Sequence, residues 1–164
     1  MSEAEPPSRL LIVWHSRTGA SEAMALAAAE GAGDAVFLAC DEVGPDTILS
    51  AGGYLFCCPE NLATMSGAMK EMFDRCYYPV LGRIEGRPFA TIIAAGSDGE
   101  GAQRQIDRIA QGWRLRRVAE RMIVNFSAQT PEAILAKKSV PAGTIDECRE
   151  LGEALATGLR EGIF

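Results

Sequence analysis

Five short apolar runs, each followed by a stretch that reads as helix, constrain this chain more than any other feature. Residues 9–15 (RLLIVWH) are apolar without alternation, as a strand covered on both faces requires. The following GASEAMALAAAEGA consists of strong helix formers and stops at glycine. DAVFLAC (34–40), GYLFCCPE (53–60), RPFATIIAAGS (87–97) and VAERMIVNF (118–126) are the other strand candidates. Helices are predicted over 44–52, 68–78, 99–115 and 144–162. Ala68, Met69, Met72, Phe73 and Cys76 form a core-facing stripe at helical spacing, and Thr144 with Glu147 fits a capping box. Strands joined by crossover helices imply a parallel sheet with helices on both faces, five strands in the doubly wound order 2-1-3-4-5. In such a sheet a ligand lies beyond the carboxyl ends of the strands, where the order reverses. That edge is built here by the loops after Trp14, Cys58 and Ala95.

The chain length of 164 residues suits one domain with a sizeable core. Residues 1–8 are acidic and proline-containing and read as a disordered tail ahead of a single domain over 9–164. No apolar run approaches the roughly 18–20 residues that cross a bilayer, and the start lacks the basic and apolar regions of a secretory signal. Sixteen basic and 22 acidic side chains give a net charge of −6, which weighs against a nucleic-acid partner. One basic stretch, Gly101 to Arg121, runs against that balance; it reads as a solvated helix face, with a subunit contact or attraction of an anionic cosubstrate as the sharper readings. Five irregularly spaced cysteines fit reduced, buried thiols in a cytoplasm better than a disulfide framework, and Cys57 and Cys58 should point to opposite faces of their strand. A single histidine excludes a His-rich metal site.

The first loop, SRTGAS, places Ser16, Arg17, Thr18, Gly19, Ala20 and Ser21 between a strand and a helix. A phosphate monoester can be held there without lysine. Unpaired amides and the positive end of the helix dipole converge on it, hydroxyls add donors, and Gly19 lets the backbone come close. The dinucleotide G-x-G-x-x-G and the Walker lysine are both absent, and no cysteine opens the loop as a phosphatase nucleophile. The second loop begins at Pro59, where the strand should end, and leads to Ser66 as the next helix cap. Its extended edge suits a planar heterocycle with alternating donors and acceptors. The third, AAGSDGEGAQ, carries glycines that permit close approach to a flat ligand.

SRTGAS, PENLATMSGAMKEMFDRCY and GRPFATIIAAGSDGEGAQ together resemble the flavodoxin superfamily, most closely its NAD(P)H-dependent FMN reductase and quinone reductase branch. The match is good from about Arg9 to Gln103 and architectural beyond it. The resemblance implies a flavodoxin-like three-layer α/β/α sandwich. It implies FMN with its phosphate among Ser16, Arg17, Thr18, Gly19, Ala20 and Ser21. The ring would be bordered by Pro59, Glu60, Asn61, Leu62, Ala63 and Thr64, and closed by Gly96, Ser97, Asp98 and Gly101. Catalysis would belong to the flavin, with no protein acid, base or nucleophile, NAD(P)H as cosubstrate and a small acceptor such as a quinone or flavin. Members of that branch often form dimers or tetramers. The second loop has no ring-stacking aromatic and the charge is only −6, which favours an open-faced reductase over an electron carrier with a protein partner. A non-catalytic phosphate-binding module is the third reading.

Overall fold

The computed structural model describes residues 7–164; residues 1–6 of the expected tail lie outside it, while Pro7 backs onto Gly52. Strand β1 (Leu10–Trp14) lies between β2 (Ala35–Ala39) and β3 (Gly53–Asn61), parallel to both. Strand β4 (Thr64–Met65) folds back antiparallel on the end of β3. Strand β5 (Pro88–Ala95) runs parallel to β3 on its other side, and β6 (Arg116–Arg117) and β7 (Met122–Asn125) share the last position beside β5. With the two-residue β4 set aside, the order is the expected 2-1-3-4-5, its fifth place divided in two.

Residues alternate between two cores. Leu11, Val13, Phe56 and Cys58 face one side, where they pack under α2 (Pro45–Leu49), α3 (Gly67–Val80) and α4 (Glu100–Gly112). Leu10, Ile12, Leu55 and Cys57 face the other, under α1 (Ala20–Ala32) and α6 (Ala142–Arg160). The vicinal cysteines therefore do point to opposite faces. Alanine-rich α1 is explained by α6: a Cβ on Gly31 would come within 2.7 Å of the Arg149 carbonyl carbon, and one on Gly152 within 2.6 Å of that of Ala28. The two helices meet backbone to backbone, which only small residues allow.

Several sequence expectations shift. Helix α6 begins at Ala142 behind Pro141, so Thr144 sits inside its first turn and the Thr144–Glu147 capping box is not made. The strand expected over 118–126 keeps only Met122–Asn125. Strand β3 does not stop at Pro59: the Pro59 carbonyl accepts from Ser66 N–H at 3.1 Å, and the ladder continues to Asn61. The sequence expectations also contain no counterpart of α5 (Pro131–Leu135). A polar set fixes α4 on the sheet. Buried Thr91 donates to Gln103 Oε1 (2.9 Å), and Arg117 donates to Thr91 Oγ1 (2.9 Å) and Asp107 (2.5 Å).

Candidate functional site

The three loops meet at the carboxyl edge of β1, β3 and β5, around a cleft lined by Arg17, Thr18, Ala20, Pro59, Glu60, Asn61, Ala94, Ala95 and Gly96. In the first loop Gly19 takes φ 95°, a conformation L side chains rarely adopt, and turns the chain into α1. Ser16 Oγ accepts from Gly19 N–H at 3.1 Å and keeps its own hydrogen free to donate. Among the described residues, the amides of Arg17, Thr18, Ala20, Ser21 and Glu22 have no acceptor, the last three because a helix start leaves them so. Ser21 is buried, and its hydroxyl also lacks a partner. Cys57 Sγ donates to the Ser21 carbonyl at 3.2 Å and ties the loop to β3. A cradle of free donors with an orphaned buried hydroxyl is what an anion would complete.

The second loop is a tight hairpin. Leu62 (φ 52°) and Ala63 (φ 65°) both occupy the left-handed region, as a two-residue turn between twisted strands demands. Leu62 stands at its tip, 99% exposed. Asn61 lines the cleft, and its side-chain amide has no partner among the described residues. Thr64 does not face the cleft; its hydroxyl lies against the Asn61 and Met65 carbonyls. The Glu60 carboxylate, which also lines the cleft, is engaged by the protein itself. Its two oxygens accept from Gly99 N–H (2.8 Å) and Ala102 N–H (3.1 Å), at the start of α4. Ser66 caps α3 by position alone, because its hydroxyl pairs with His15 Nδ1 at 2.9 Å.

In the third loop Gly96 lines the cleft, while Ser97 and Asp98 are exposed beside it. Ser97's carbonyl accepts from Asn125 Nδ2 at 2.7 Å. Gly101 turns toward the hairpin rather than the cleft: a Cβ there would lie 2.9 Å from the Ala63 carbonyl carbon. Arg17 is exposed at the mouth and pairs with no carboxylate among the described residues. Tyr77 stacks on Trp113 in the core cluster, and Tyr78 projects into solvent at 79% exposure.

Sequence reasoning missed the fourth wall. Phe126, Ala128, Ile134 and Lys138 also line the cleft. This strap is tethered at one end by Ala128 N–H to the Gly96 carbonyl (2.8 Å) and at the other by Lys138 N–H to the Thr18 carbonyl (2.9 Å). Between them α5 buries no residue, and the Lys138 ammonium closes its last turn on the carbonyls of Ala133, Ile134 and Ala136. With the strap in place the cavity is about 50 Å³, against roughly 300–1,000 Å³ for small-molecule sites. Donors and walls suit a phosphorylated planar ligand, and the strap covers one side of the cleft.

Burial sets the titration of the neighbouring groups. Desolvation lowers His15, against a smaller opposing pull from Asp41. It pushes Cys58 up to about 12 and Cys148 up to about 11, and raises Cys57, Cys40 and Cys76 as well. All five thiols are buried. No helix among the described residues is long and apolar enough to cross a membrane, and no group of three metal-binding side chains occurs among them.

The model of a family described as NADPH-dependent FMN reductase matches residues 45–128, which include the second and third loops. Among solved structures, a flavodoxin from the domain Archaea is similar with a TM-score of 0.76 at 17% identity, over 93% of this chain and 99% of that one. The flavodoxin-like WrbA-like protein of Agrobacterium tumefaciens gives 0.68 at 17% identity, over 93% and 98%. The flavodiiron protein of Giardia intestinalis gives 0.75 at 18% identity, over 95% of this chain and 37% of that one. At these identities the likeness establishes the fold, which is flavodoxin-like. No curated protein matches the chain in sequence.

Proposed function

The chain belongs to the NADPH-dependent FMN reductase family, and on that premise we propose that it binds FMN and passes electrons from NAD(P)H to a small acceptor such as a quinone or a free flavin. The observation that carries this reading is the first loop: five amides without acceptors and the orphaned Ser21 hydroxyl, gathered at one helix start beside the strand-order reversal. The amides of Arg17, Thr18, Ala20, Ser21 and Glu22 and the hydroxyls of Ser16, Thr18 and Ser21 would hold the phosphate. The hairpin from Pro59 to Ala63 and the turn from Gly96 to Asp98 would border the ring. Bound FMN would supply the redox chemistry, taking up a hydride and releasing electrons singly or in pairs. The protein's part is to orient the ring, to keep water from one side of it, and to set backbone donors against charge that develops during reduction. The hairpin tip offers leucine and alanine rather than a stacking aromatic, which favours an exposed ring face and direct access by small molecules.

The test is the visible absorption spectrum of the purified protein titrated with FMN, followed by NADPH or NADH oxidation with a quinone. Saturable flavin binding with steady turnover supports the reading. Flavin binding with reduction only by a partner reductase would make the protein an electron carrier. Failure to bind flavin at all would leave a phosphate-binding module on the same fold.

A further inference from the structure

We propose that Glu60 is a positioning residue, fixing the spacing between the two walls that would border the flavin ring. The inference deepens the proposed FMN site and rests on it. Glu60 lies two residues past the buried part of β3, half-buried and at the lip of the cleft, where its carboxylate could be aimed at a ligand. Instead both oxygens turn sideways onto α4, taking the N–H groups of Gly99 and Ala102. Each bond is charge-assisted, and the carboxylate also meets the positive end of the helix dipole. Two further contacts lock the same pair of elements. The Ala63 carbonyl packs on the bare Cα of Gly101, and Met65 N–H donates to Gln105 Oε1 at 2.8 Å. The hairpin, with two consecutive residues in the left-handed region, has little freedom to adjust by itself.

The consequence is mechanical. The β3–β5 ladder holds the two strands together only as far as Pro59 and Ala94; beyond it the hairpin and the turn after Ala95 part, and Glu60 joins the strand carrying the one to the helix that follows the other. The carboxylate thereby ties the hairpin to the start of α4 as one body. Glu60 therefore governs how tightly the ring end of a ligand is gripped. The phosphate end belongs to the first loop.

The experiment compares wild type, Glu60→Ala and Glu60→Gln, with Thr18→Ala as the phosphate-end control. Amide hydrogen exchange in the flavin-free protein reads the clamp directly. Gly99 and Ala102 should exchange about tenfold faster in Glu60→Ala. Glu60→Gln keeps the shape and one acceptor, so it should free one of the two amides; it serves if the alanine variant does not fold. Titration with FMN and with riboflavin then reads the grip. Glu60→Ala should weaken both by the same factor, about tenfold, whereas Thr18→Ala should weaken FMN alone. Unchanged exchange at Gly99 and Ala102 overturns the proposal. So does faster exchange with wild-type affinity for both flavins, or a loss confined to FMN. A wild-type protein that binds neither flavin removes the FMN reading and Glu60's role toward a ring with it, and the exchange data then still report the clamp by itself.

Discussion

Replacing Gly152 with alanine tests the backbone contact between α1 and α6. The new Cβ would lie 2.6 Å from the Ala28 carbonyl carbon and closer still to its oxygen. Carbon atoms in contact settle at about 3.5–4.0 Å, so α6 must withdraw by roughly 1 Å. Overpacking of this kind costs about 1–3 kcal/mol, and alanine in place of glycine inside a helix returns about 1 kcal/mol. The expected net loss is up to ~2 kcal/mol, a fall in Tm of up to ~8 °C for a domain of this size. Gly31→Ala meets Arg149 from the opposite direction, 2.7 Å from its carbonyl carbon, and should cost a similar amount. The double variant should lose less than the sum, because the first substitution has already opened the gap that the second needs. Urea unfolding followed by circular dichroism measures all three. A single variant more stable than wild type would refute the hard contact. Strict additivity would show that the two glycines relieve separate contacts.

Thr18→Ala should weaken FMN by about tenfold through loss of a phosphate hydroxyl donor; a titration curve that overlays wild type defeats that assignment. The five buried thiols, all raised by burial, should resist a neutral-pH thiol reagent in the folded protein and all react in urea. One cysteine reacting at the rate of a free thiol would contradict their inertness. His15 gives a pH signature. Its folded-state pKa lies below the ordinary 6.5, so the unfolded chain binds the proton more readily. The associated stability is complete above 6.5 and is lost as pH falls through the lower folded value. Unfolding free energies measured across that window should slope for wild type and flatten for His15→Asn; parallel slopes would show that His15 is not the group responsible.

What could be read in advance follows the physics of each signal. Short, largely apolar runs such as LLIVW and FATIIAA, too brief for helices and bounded by turn residues, read as strands covered on both sides, and the layers follow from their alternation with helices. Loop SRTGAS is legible because its small and hydroxyl residues sit where a helix must leave amides unpaired. The hairpin at 60–65 is not: its turn is Leu62-Ala63, where glycine or asparagine would have signalled left-handed backbone, and tertiary contacts to α4 impose the conformation instead. The direction of the Glu60 side chain was equally hidden, because its partners are 39 and 42 residues away. The strap did leave a signal. Thr130 caps α5 by accepting from Ala133 N–H at 3.2 Å, and Pro131 occupies the first helical position, a start signature visible in TPEAIL. Its place over the cleft depends on Lys138 reaching Thr18, which no local pattern encodes.

The divided fifth strand has a bearing on how copies of this chain behave together. An open sheet margin is a template on which another molecule can add a strand, and long flat margins invite stacking into aggregates. Here that margin is interrupted: two residues pair at Arg116–Arg117, four do not, and four more pair at Met122–Asn125. Arginines at 116 and 121 stand exposed along it. A foreign strand would find no continuous ladder, and the charged side chains standing along the gap would have to be cleared before it could pair, so crowding should leave this side of the molecule unzipped.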